Sequence, residues 1–118
     1  MLIALAATFM TAHADLPAPP VAVTQAAQAW RDCVSDGLNR RTNATRAGGD
    51  PYDLASIILA ECRPQQEAAF TARASWVEGL DLSPGETALA LRRNERDVRA
   101  MHDSIIMRAR RSEDQDWD

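Results

Sequence analysis

Lysine is absent from this chain, and all thirteen of its basic residues are arginine. Genomic base composition explains that bias as readily as a need for bidentate contacts, since arginine shows its value only at a paired site. Aromatic residues are scarce at 5%, and much of the 46% hydrophobic fraction is alanine. The 118 residues make one domain with a thin core built from close helix contacts, which argues against a large catalytic cleft. Histidine, the usual acid, base or metal ligand at neutral pH, occurs only as His13 and His102. There is no internal repeat, no Gly-rich phosphate loop and no low-complexity tract. The net charge of −4 argues against a protein that coats nucleic acid or anionic lipid with its whole surface, so any such binding is local.

No apolar run approaches the ~20 residues of a transmembrane helix. The longest at the front, Leu2 to Met10, is followed by small residues and by Ala12-His13-Ala14, an A-x-A cleavage pattern before Asp15. Residues 1–14 are therefore expected to be a secretory signal peptide. No Lys or Arg precedes the apolar run, and a start codon further upstream would supply that charge. No cysteine follows the cleavage pattern, so a bacterial lipoprotein anchor is not indicated. Residues 15–22, with three prolines in DLPAPPVAV, are expected to form an extended lead-in.

Cysteine is also scarce, but its two positions are informative. From Val23 the pattern turns helical, with Thr24 as a cap and Ala26, Trp30, Cys33 and Gly37 at spacings of four, three and four. This helix is expected to run to about residue 46 and to stop at Gly48-Gly49. A second, over about 50 to 62, starts with Asp50 as N-cap, Pro51 at the first helical position and Asp53 near the positive end of the helix dipole. Leu54, Ile58 and Cys62 follow at spacings of four. Cys33 lies fifteen residues before Gly48 and Cys62 thirteen after Gly49. At ~1.5 Å rise per residue, both sulfurs stand about 20 Å from the turn of an antiparallel hairpin. A disulfide Cys33–Cys62 is the expected result, and an exported compartment is where it would persist. Two buried free thiols, or a metal or redox site, are the alternatives; C-x-x-C spacing is missing.

Pro64 kinks the chain or starts a new helix after Cys62. The segment to Gly79 carries Phe70 and Trp76 at helical spacing as core residues, with Arg73 falling on the same stripe. Ser83, Pro84 and Glu86 form the clearest start signal, a capping box. A long third helix is expected from there to about Arg111, with Leu91, Val98, Met101 and Ile105 as its seam. Met101 and Met107 are read as core filler. Residues 112–118 form an acidic tail. The fold class is thus all-α, a disulfide-stapled antiparallel helical hairpin plus a long third helix within a domain over residues 23–111.

No catalytic constellation emerges. His102 adjoins Asp103, but neighbours on a helix do not face each other, and no triad partner is indicated. Cys33, Cys62 and His102 fall one ligand short of a structural zinc site. Asp32 and Asp36, at i and i+4, are read as a solvated face, since calcium wants six or more oxygens from a loop. Asn43 begins an N-A-T sequon. No cofactor and no metal is called for.

The rival signal is LRRNERDVRAMHDSIIMRARR, a basic amphipathic helix of the kind that binds membranes or nucleic acid. Its candidate basic face is Arg92, Arg96, Arg99, Arg108, Arg110 and Arg111. The expected i,i+4 pairs Arg93–Asp97, Glu95–Arg99 and Arg99–Asp103 weaken that reading.

Through residues 29 to 64, chiefly AWRDCV and LAECRP, the chain resembles the small Ala- and Arg-rich, two-cysteine exported helical proteins of proteobacteria, most of them uncharacterised. The resemblance implies a periplasmic or secreted helical domain and transfers no activity. The reading reached here is a non-enzymatic binding or structural component of the cell envelope whose partner is another envelope protein. The alternatives are a periplasmic chaperone or an inhibitor of a secreted enzyme, and a basic helix binding anionic lipid or nucleic acid.

Overall fold

The structure is a computed structural model that describes residues 16–41 and 49–115. Four helices account for nearly all of these: α1 (Val21–Arg40), α2 (Pro51–Glu61), α3 (Arg63–Glu78) and α4 (Pro84–Gln115). No strand occurs among the described residues.

α1 begins two residues earlier than the sequence suggested, inside the expected lead-in. Pro20 is its N-cap, and the Pro20 carbonyl accepts from the Val23 and Thr24 amides. Thr24 is therefore not a cap; its hydroxyl lies within the first turn and donates to the Val21 carbonyl at 3.0 Å. Proline fits here because a helix start needs no amide donor of its own. At the other end α1 closes at Arg40, whereas the sequence suggested about residue 46; residues 42–48 lie outside the described residues.

α2 starts as its sequence predicts. The Asp50 carboxylate accepts from the Tyr52 amide at 2.9 Å, and Pro51 and Asp53 occupy the first turn. α2 and α3 are separated by one residue, Cys62, whose backbone still bonds helically on both sides, to Ile58 and from Gln66. Pro64, in the first turn of α3, tolerates this because the amide it removes is one that a helix start leaves unbonded. The break redirects the chain, so that α1 packs chiefly along α3 and α2 chiefly on α4. The expected hairpin of α1 and α2 with the long helix docked on it is thus only part of the arrangement.

Direction follows from the contacts. Cys33 meets Cys62, and a Cβ on Gly37 would stand 3.3 Å from Ile58, so α1 and α2 run antiparallel. Arg73 reaches Asp97 while Tyr52 lies beside His102 and Arg110, so α4 runs antiparallel to the α3–α2 pair. Gly37 has a definite use here. Without a side chain it lets α1 approach Ile58 one turn from Cys33, and the two cysteine Cα atoms come within 5.8 Å.

The Cys33–Cys62 disulfide is formed, and Cys62 is fully buried. Around it lies one continuous core of Trp30, Val34, Leu54, Ile58, Ile105 and Ile106, together with Ala55 and Ala109. Each large aliphatic side chain removed from water here contributes roughly 1.5–3 kcal/mol. Trp30 and Phe70 meet edge to face, centroids 5.5 Å apart. The seam of α4 is correspondingly shifted: Ile105 is buried as expected, Val98 and Met101 pack at the margin, Leu91 is only half-buried, and Ala90, Ile106 and Ala109 complete it. Met107 is exposed at 56% and so is not core filler.

α3 ends at Gly79, but the glycine remains right-handed at φ −72°. The left-handed residue is Asp81, at φ 57°. α4 opens with the Ser83 hydroxyl accepting from the Glu86 amide at 3.3 Å and donating to the Glu86 carboxylate at 2.8 Å. It continues through Gln115, past the expected end at Arg111 and into the segment read as a tail.

Candidate functional site

The six arginines of the candidate basic face do not share one surface. Arg92, Arg96 and Arg99, spaced by four and three on α4, are exposed, and Arg92 and Arg96 line a shallow hollow with Leu16, Leu82 and Glu86. Arg108 instead donates to the Ser35 hydroxyl of α1 at 3.3 Å. Arg110 donates to the Tyr52 hydroxyl at 3.4 Å and places its guanidinium 5.8 Å from the centre of that ring. Arg111 is exposed.

None of the i,i+4 charge pairs expected along α4 forms among the described residues, and of their members only Asp97 takes an ion-pair partner on another helix. Asp97 pairs with Arg73 of α3 at 2.8 Å, and Arg73 also donates to the Asn94 side chain at 3.0 Å. Arg93, its expected partner, makes no ion pair among the described residues, nor do Arg92, Arg96 and Arg99. Asp103 lies 3.7 Å from His102 Nδ1, so these helical neighbours do approach, contrary to the sequence argument. His102 is half-buried and tilted against Tyr52, centroids 6.2 Å apart.

The other sequence candidates are accounted for locally. The two cysteine sulfurs are bonded to each other and so are not zinc ligands. Asp32 accepts from Gln28 at 2.7 Å, and both Asp32 and Asp36 are exposed. No group of three or more His, Cys, Asp or Glu suited to a metal occurs among the described residues. Residues 1–14 and Asn43 lie outside them. No described helix is long and apolar enough to cross a membrane.

What the sequence reading missed is a groove at the end of the molecule away from α2. A cavity of about 430 Å³ opens between the Leu16–Pro19 segment and helices α1, α3 and α4. Arg31 of α1, Arg73 of α3 and Arg93 of α4 all line it, together with Trp76, Val77 and Ala90, and no carboxylate does. A second cavity of about 410 Å³ shares Ala27, Arg31 and Arg73 with the first and extends the groove to Phe70 and Met101. Trp30 stands in the wall of this second cavity, and its buried indole N–H has no hydrogen-bond partner among the described residues. The groove exists because the buried residues at this end, Val23, Ala69, Val77 and Ala90, are too small to fill the space between three helices.

One signal had been present, since Arg73 interrupts the apolar stripe of α3. Arg31 and Arg93 gave none, because only the fold brings the three together. No family model, no curated protein and no solved structure matches this chain.

Proposed function

We propose that this chain is exported with loss of residues 1–14 and acts outside the cytoplasm, in the periplasm or beyond, as a non-enzymatic binding protein of the cell envelope. The observation that carries this reading is the Cys33–Cys62 disulfide, a bond that oxidising compartments preserve and the cytosol reduces. The A-x-A pattern at Ala12–Ala14 adds the export signal. The groove supplies a binding surface of arginines and apolar side chains.

Intact mass of the chain expressed with its leader, measured with and without reduction and thiol alkylation, tests the reading. Loss of residues 1–14, with cysteines that label only after reduction, is expected. An uncleaved chain whose thiols label freely under denaturing conditions would overturn it.

A second reading rests on a different observation. Arg92, Arg96 and Arg99 are exposed and without ion pairs among the described residues, on the helix that carries Leu89 at 64% exposure. Such a face suits an anionic lipid surface or nucleic acid. Binding to anionic vesicles or duplex DNA that weakens steeply with salt is its expected signature.

A further inference from the structure

Three cations line the first cavity, and among the described residues only one of them has an ion pair. Arg73 is paired with Asp97 at 2.8 Å. Arg31 gives a single hydrogen bond to the neutral Gln28 side chain at 3.0 Å. Arg93 has no ion pair among the described residues. On a chain of net charge −4, this is a local excess of positive charge at a concave, partly apolar place. Low-dielectric walls strengthen the field there, and two guanidinium forks match a carboxylate bidentately.

The floor between the arginines is apolar. Val77 is buried, Trp76 presents part of its ring, and the groove continues past Ala27 to Phe70 and Met101. From Ala90 to Met101 along α4 it extends for roughly 16 Å at 1.5 Å per residue. Cavities of 430 and 410 Å³ are of the size that holds a small molecule, typically ~300–1,000 Å³.

We propose that the groove binds a small anionic amphiphile, a long-chain carboxylate whose headgroup is held by Arg31 and Arg93 and whose tail lies along the floor toward Phe70 and Met101. This assignment names the ligand of the binding protein proposed above and rests on that reading. The polar end faces the rim, where Arg31 and Arg93 are exposed, and the tail runs along the wall that holds Trp30 and Phe70.

The experiment is calorimetric titration of the full oxidised chain with sodium oleate, with acetate and oleyl alcohol as head-only and tail-only probes. Saturable binding of one oleate per chain is expected, with acetate and the alcohol each far weaker. Combined Arg31→Gln and Arg93→Gln should weaken oleate by roughly tenfold or more, the loss of charge-assisted hydrogen bonds, whereas Arg63→Gln on the exposed side of α3 should not. Should the double variant fail to fold, quenching of native tryptophan fluorescence by a brominated stearate, relieved by excess oleate but not by acetate, reads the same site, where Trp30 and Trp76 line the groove. No oleate binding, binding indifferent to the two arginines, or alcohol binding as tight as oleate would overturn the assignment. If oleate fails while the secreted, oxidised chain is recovered by intact mass, the ligand falls and export stands. If the leader is retained, export falls whatever oleate does.

Discussion

The two ends of this bundle are built from the same two long helices and could hardly differ more. Where α2 lies against α1 and α4, Leu54, Ile58, Ile105 and Ile106 interlock around a fully buried Cys62. Where α3 replaces α2, the buried side chains shrink to Val23, Ala69, Val77 and Ala90, and arginines edge the space they leave. The lesson is a division of labour. Stability is concentrated in one closed end, which frees the other to keep a groove open and to hold uncompensated charge.

The sharpest way to break the comparison is to cut the staple. Replacing both cysteines by alanine removes the constraint on a 29-residue separation and should cost roughly 3 kcal/mol, lowering the melting temperature of so small a domain by about 15 °C. Circular dichroism with and without reductant checks this. Next comes the core itself. Ile58→Ala, at a fully buried side chain, should cost about 3 kcal/mol in urea titration, and Val77→Ala at the groove end about half as much. Equal losses would mean that the two ends are not energetically distinct.

Smaller effects are expected at the turn into α4. Asp81→Val places a β-branched residue at φ 57° and should cost about 1–2 kcal/mol. Ser83→Ala removes the cap and should cost about 1 kcal/mol, with faster amide exchange confined to the first turn of α4. The smallest effect belongs to the Arg73–Asp97 pair, which is partly exposed. A double-mutant cycle should return less than about 1 kcal/mol, while leaving the closed end untouched.

Much of this was legible in the sequence for specific physical reasons. The disulfide was legible because both cysteines fall on the apolar stripes of consecutive helices, although the count from Gly48-Gly49 assumed a helix to about residue 46 and α1 closes at Arg40. Asp50 and Ser83 announced helix starts because caps are local chemistry. The groove was not legible, since its arginines come from three helices that no short-range pattern relates. The seam of α4 was misplaced because the burial is carried partly by Ala90 and Ala109, which hydropathy scarcely distinguishes from surface alanines. Thr24 misled for a related reason: its hydroxyl suits a cap, but Pro20 had already fixed the helix start.

The disulfide also makes the chain from Cys33 to Cys62 a covalent ring, with a consequence for how it meets proteases. Arg40, Arg41 and Arg46 all lie within that ring, at peptide bonds that trypsin-like enzymes favour. A single cleavage there opens the ring without dividing the molecule. The two pieces stay joined through sulfur and migrate as one species until they are reduced.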